Sequence, residues 1–129
     1  MINVVCFGEV LWDVFPKHKK IGGAPLNVAT RLSAFCNNVA IISAIGNDNL
    51  GKQILTYLKD NNINVSHIQV LDAYKTGKVA VLLNEKGHAT YKIEYPKAWD
   101  KIDYLNTSKD IVKSSDFITS LEIDSLELF

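Results

Sequence analysis

Neither sign of charge is in excess: 14 Lys and Arg stand against 14 Asp and Glu in 129 residues. That balance removes the electrostatic case for nucleic acid or an anionic membrane as partner. The one basic cluster, "KHKK" at Lys17 to Lys20, lacks the aromatic neighbours of a base-stacking platform and reads as a solvated loop. Cysteine is scarce as well. Cys6 and Cys36 lie in separate apolar segments without C-x-x-C spacing, which excludes a disulfide framework and predicts two buried thiols in a reducing compartment. His18, His67 and His88 have no metal-ligand spacing, so no metal site is expected. Long apolar runs are also missing. "MINVVCFGEVLWDVF" is interrupted by Glu9 and Asp13 and has no basic start, so neither a signal peptide nor a membrane span is expected, and the location reads as cytoplasmic.

What is present is an alternation of buried strand and amphipathic helix. "INVVCFG" (Ile2 to Gly8) is a β-branched apolar run of the kind found in parallel sheets. "GEVLWDVFP" continues extended and carries Glu9 and Asp13 to that strand's C-terminal side, and "KHKKIGG" reads as a loop. Pro25 to Phe35 reads as a helix, with proline in the first turn and Val28, Leu32 and Phe35 on one face. "NNVAIISAIG" is a second buried strand. Asn49 to Asp60 is a second helix, with Leu50, Ile54 and Leu58 aligned, and "NNINVSHIQV" turns into a third strand. This β-α-β-α-β order predicts a parallel sheet with right-handed crossovers. "KVAVLLNEKGHATYKIE" alternates on both sides of a turn, as a β-hairpin does, with Val79, Val81 and Leu83 on one face and a wetter second strand. A polar helix over about 107–114, capped by Asn106 or Thr107, and a further core strand, "DFITSLEI", follow.

One stretch invites a nucleotide-binding reading. "GNDNLGKQ" (Gly46 to Gln53) is one residue short of the phosphate loop G-x-x-x-x-G-K-[ST], with a strand before it and a helix after it. Gln53 offers an amide where that loop needs a hydroxyl for magnesium, and Asp48 sets a carboxylate where phosphate would lie. The same residues make a capped helix: Asp48 as N-cap, Gly46 closing the strand, Gly51 permitting close packing, Lys52 on the surface.

The chemistry points upstream. In an open parallel sheet, ligands bind beyond the strands' carboxyl ends, where Asp13 falls. "IGGAPLN" then offers two glycines for close backbone approach and Asn27, a donor and acceptor, at a helix start. A carboxylate, bare backbone and an amide together suit vicinal hydroxyls, as on a sugar. The same residues also suit a loop cap and an ordinary helix entry.

"GGAPLNVA" resembles the first signature of the PfkB, or ribokinase-like, carbohydrate kinases, with Gly22, Gly23, Pro25, Asn27, Ala29 and Gly46 in place and Cys36 where glycine or serine is usual. "GEVLWDVFP", "GNDNLGKQI", "TGKVAVLLNEKGHATYKI" and "AWDKI" resemble bacterial fructokinases, so the likeness covers most of the chain to about Tyr104. It implies a three-layer α/β fold, its N-terminal portion carrying an antiparallel hairpin lid over about 76–95, within one partial domain over 1–129. It implies that Asp13, Gly22, Gly23 and Asn27 bind a small-molecule sugar, fructose by the nearest likeness, and that the hairpin covers it and joins a homodimer, as in several members. Tyr91 and Trp99 are candidates for apolar contact with the sugar ring and equally for packing. ATP and Mg2+ are implied for the full family reaction.

The family's "GAGD" segment, its N-x-x-E motif and an adenine-binding segment are not found here, and Glu122 and Asp124 stand where fructokinases carry small residues. The expectation is therefore a truncated fructokinase-like chain with no catalytic residue of its own, which binds sugar, binds ATP and Mg2+ poorly, and does not turn over. The alternatives are a non-catalytic sugar-binding or dimerisation module, and a P-loop-type nucleotide binder.

Overall fold

The computed structural model describes residues 2–35, 38–103 and 106–121. In chain order the elements are β1 (Asn3–Gly8), β2 (Leu11–Val14), β3 (Lys19–Gly22), α1 (Ala24–Ser33), β4 (Asn38–Gly46), α2 (Asn49–Asp60), β5 (Ile68–Leu71), β6 (Gly77–Leu83), β7 (Ala89–Ile93), a 3₁₀ turn (Ala98–Lys101), α3 (Asn106–Ser114) and β8 (Phe117–Leu121).

Four strands form an all-parallel sheet in the order β5-β4-β1-β8. Its central strands are apolar on both faces because helices cover both. Val4 and Cys6 on β1 pair with Val39 and Ile41 on β4, and with Ile45 they bury against Leu26 and Ala29 of α1 and Ile54 and Leu58 of α2. Each such branched side chain taken from water contributes roughly 1.5–3 kcal/mol. On the reverse face Val5, Ala40, Ile42 and Ala44 are equally buried. The chain moves outward from β1 to β4 to β5, then returns across β1 to β8. Right-handed crossovers place α1 and α2 on one face and α3 on the other, which makes three layers.

The remaining strands form a second sheet, β3-β2-β6-β7. Here the expected loop at Lys17 to Lys20 is corrected. Lys19–Gly22 is a strand, paired antiparallel with β2 from Leu11↔Gly22 to Val14↔Lys19. The turn is closed by the Phe15 N–H donating to the His18 carbonyl at 2.8 Å, with the two rings stacked. Lysines suit this position because β3 is an edge strand, where charge discourages further pairing. Opposite residues share a face. One face of this sheet carries Trp12, Val14 and Ile21, which pack into the main core. The other carries Leu11, Asp13, Lys20, Gly22, Val79, Val81, Tyr91 and Ile93.

Three other expectations change. Phe35 is 77% exposed, because α1 ends at Ser33 and the chain has left the helical face by then. Phe117 and Ile118 of β8 are 61% and 53% exposed. The strand is there, but as the sheet's edge, and no other described strand pairs beyond it. On β7 only Ile93 is partly buried, so both faces of its outer half are wet, not one. The third strand begins at Ile68, and the segment before it touches the sheet only through a bridge from Asn64 to Ala40. Cys36, Tyr104, Glu122, Asp124 and the side chains of Asn106 and Thr107 lie outside the described residues. Cys6 is free and fully buried, and burial pushes its thiol pKa up.

Candidate functional site

The parallel sheet reverses its winding between β1 and β8, the kind of switch point beside which open α/β sheets bind ligands. At the carboxyl end of β1 the chain turns through Gly8, whose φ is 138° and whose carbonyl accepts from Ser43 Oγ at 2.6 Å. The two carboxylates that follow then part company. Glu9 is buried at 4% exposure and turns inward, where Oε1 accepts from the Ala24 N–H at 3.4 Å. It thus serves the N-terminus of α1, whose N-cap Gly23 has no side chain to do so, and its charge complements the helix dipole. Asp13 is partly exposed on the second sheet, directly opposite Lys20.

Gly22 leaves room for a side chain, and Gly23 is required by backbone geometry. A Cβ on Gly22 would fall on the Asp13 carboxylate, so the glycine makes the space that carboxylate occupies. Gly23 has φ 109°, and a Cβ there would lie 2.6 Å from the Glu9 carbonyl oxygen. Asn27 joins this group through its backbone, its N–H donating to the Gly23 carbonyl at 3.0 Å, and its side chain is exposed one turn into α1. Of the four expected residues, Asp13 and the buried Gly22 are thus in direct contact, Gly23 follows against the Glu9 backbone, and Asn27 is tied to Gly23 through its own backbone.

Burial raises the Asp13 pKa, and the Lys20 cation opposite works against that shift. Val79 is the register partner of Asp13 on β6, and Ile93 is the partner of Val79 on β7, so the carboxylate sits at the margin of an apolar sheet face. Such a face suits the C–H side of a sugar while the carboxylate accepts from its hydroxyls. Trp99 closes that face at the Leu11 end. A Cβ on Gly77 would come 2.5 Å from its ring, which also meets Tyr95 edge-on at 5.6 Å. Trp99 is thus a packing residue in this arrangement, whereas Tyr91 is 59% exposed on the face that Asp13 shares.

Lys20 and Thr76 escaped the sequence reading. For Lys20 the available signal was the alternation of "KKIG" toward a glycine pair. Thr76 has no local signal, because its partners lie 28 and 30 residues away.

The start of α2 does not fit a phosphate. Asp48 Oδ1 already accepts from the Gly51 N–H at 2.8 Å and from Thr76 Oγ1 at 2.6 Å. Its Oδ2 accepts from the Thr76 N–H at 3.0 Å. Of the amides a phosphate loop would offer, that of Gly51 is taken by this carboxylate and that of Gly46 by the Thr76 hydroxyl. Among the described residues no group of three or more His, Cys, Asp or Glu side chains is placed to hold a metal ion. No helix among the described residues is long and apolar enough to cross a membrane.

A family model for pfkB family carbohydrate kinases matches residues 1–126. The probable chloroplastic fructokinase-6 of Arabidopsis thaliana is 32% identical over 125 residues, with 87% of this chain and 33% of that protein covered. An ATP-dependent 6-phosphofructokinase of Thermoanaerobacterium thermosaccharolyticum is 32% identical over 131 aligned positions, covering 88% of this chain and 39% of that protein. Among solved structures, a sugar kinase of Pyrococcus horikoshii, itself described as uncharacterized, superposes with a TM-score of 0.82 at 26% identity, covering 92% of this chain and 42% of that one. The same kinase has been solved in complex with ATP. The chain spans between a third and two fifths of the length of these curated relatives. With this match over nearly the whole chain, and with its parallel sheet and second sheet, the chain belongs to the pfkB family of carbohydrate kinases.

Proposed function

We propose that this chain is the sugar-binding part of a fructokinase-like, ATP-dependent kinase, forming one partial domain over 1–129 with the hairpin of about 76–95 as its lid. The observation that carries the reading is the Asp13 carboxylate held in the space left by Gly22 at the edge of an apolar sheet face. Asp13 accepts from sugar hydroxyls, Gly22 and Gly23 let the backbone approach, Asn27 donates and accepts at the rim, and Val79, Ile93 and Tyr91 lie over the ring. The sugar is bound and oriented, and water is excluded on the hairpin side.

Phosphoryl transfer needs nucleophile, base and phosphate stabilisation held together. This sequence carries no GAGD-like segment to supply the rest, so on this reading the chain by itself binds sugar without turning it over. ATP and Mg2+ belong to the full family reaction, whose triphosphate chemistry these residues do not hold. A cytoplasmic location goes with this reading and is supported by the free, buried thiol of Cys6.

Calorimetric titration of the 129-residue chain with fructose tests the proposal. Saturable heat that Asp13→Ala abolishes is expected, and an Asp13→Ala variant binding as the parent does would overturn the site. Fructose 6-phosphate is the second ligand, because one relative is a 6-phosphofructokinase and Lys20 stands opposite Asp13. A coupled assay with fructose and MgATP should show no turnover.

A second reading, a dimerisation module, is supported by Leu82, Leu83 and Tyr91, all more than half exposed near the hairpin's outer end. Concentration-dependent sedimentation decides it.

A further inference from the structure

Asp48 does more than cap α2. The residue that meets it from outside the helix is Thr76, fully buried and immediately before β6, the outgoing strand of the hairpin. The Thr76 hydroxyl donates to Asp48 Oδ1 at 2.6 Å and accepts from the Gly46 N–H at 2.9 Å, while its own N–H donates to Asp48 Oδ2 at 3.0 Å. Gly46 is the last residue of β4, so the carboxyl end of the central parallel strand, the first turn of α2 and the root of the hairpin are tied at one buried point. The junction has no slack. A Cβ on Gly46 would lie 2.6 Å from the Thr76 nitrogen, and one on Gly51 would lie 2.8 Å from Thr76 Oγ1. The hairpin's return leg is fastened beside it, by the Ala98 N–H donating to the Lys75 carbonyl at 2.8 Å and by Trp99 against Gly77.

We propose that Asp48 and Thr76 are positioning residues that form the pivot of the hairpin, fixing how it stands over Asp13. The route is short. Thr76 sets Gly77, Gly77 pairs with Leu11, and two residues further along the same register Val79 pairs with Asp13. A side chain that loosened at Thr76 would leave Asp13 chemically intact while shifting the apolar face beside it. The pivot's bearing on sugar affinity rests on the sugar-binding reading above, whereas its effect on the hairpin does not.

Thr76→Val removes the hydroxyl at nearly constant shape, and Thr76→Ser keeps it. Both are compared with the parent by amide hydrogen exchange and by fructose titration on the whole chain. In Thr76→Val, hairpin amides over 79–83 and 89–93 should exchange about tenfold faster relative to those of β1 and β4, and fructose affinity should fall about tenfold, the scale of one lost hydrogen bond. Thr76→Ser should restore both. Asp48→Asn, which turns an acceptor into a donor facing the Thr76 N–H, should reproduce the hairpin effect if Thr76→Val fails to fold. Equal acceleration in the hairpin and in β1 and β4 would overturn the pivot, as would no acceleration or a serine variant as impaired as valine. Hairpin-specific acceleration in a chain that gives no heat with fructose supports the pivot and counts against the sugar reading, so the two failures are distinguishable.

Discussion

The Asp13 carboxylate occupies the volume that a Cβ on Gly22 would take. The blocking atoms are the far end of a side chain, which can rotate away. Gly22→Ala should therefore cost little stability but displace the carboxylate. Thermal melting is expected within about 3 °C of the parent, and fructose affinity at least about tenfold weaker, the loss of about one charge-assisted hydrogen bond. Paired melting and titration curves check this, and an unchanged affinity would count against Asp13 as the sugar's acceptor.

Gly23 should behave in the opposite way. Its Cβ would meet a backbone carbonyl at 2.6 Å, and its φ of 109° is one that L side chains rarely adopt. Gly23→Ala is expected to destabilise the whole domain by roughly 1–3 kcal/mol, the strain typical of such positions. Urea unfolding measures it as a lower midpoint at constant slope.

Asp13 and Asp48 should respond to pH with opposite signs. Burial holds the Asp13 pKa above its ordinary value despite Lys20, so the folded state disfavours its ionised form. Its contribution to stability falls as pH rises from the unfolded value, about 3.9, through the raised folded one. Fructose binding, which uses the ionised form, should strengthen over the same rise. Titrations at successively higher pH from about 3.9, the unfolded value, should show it, and Asp13→Asn should remove the dependence.

For Asp48, burial pushes upward, but the Thr76 hydroxyl and amide, the Gly51 amide and nearby Lys75 outweigh it, and the pKa lies below its ordinary value. The stability it contributes is complete above the unfolded value of about 3.9 and is lost as pH falls from there through the depressed folded value. Melting temperatures followed downward in pH from above the unfolded value of about 3.9 should drop less steeply in Asp48→Asn than in the parent, from a lower starting point. An acid limb of unchanged steepness would exclude Asp48 as a contributor.

The outer hairpin makes a separate prediction. Leu83 and Tyr91 are exposed and share a face. If the chain pairs through this face, Leu83→Asp with Tyr91→Asp should convert a concentration-dependent sedimentation coefficient to a constant one. The melting temperature should hold, because surface substitutions usually stay within about 0.5 kcal/mol.

Much of this molecule is local in origin. The β-branched run of β1, the apolar spacing of α2 and the Asp48 cap follow from short stretches, because strand burial, helical periodicity and capping act within a few residues. The glycine pair was legible as a place of close approach, but that the close neighbours within the chain are the Asp13 side chain and the Glu9 backbone was not. Tertiary structure decided what depends on distant partners. Lys19–Gly22 became a strand only because β2 offered it a free edge. Phe117 and Ile118 stayed exposed because an edge strand's covering is set by neighbours and not by its own pattern. Glu9 and Asp13 are four residues apart, yet one serves a helix N-terminus and the other belongs to the candidate site, since Glu9 lies in the turn after Gly8 and Asp13 on β2 of the second sheet. Thr76 has no local signature, and its role exists only where β4, α2 and the hairpin meet.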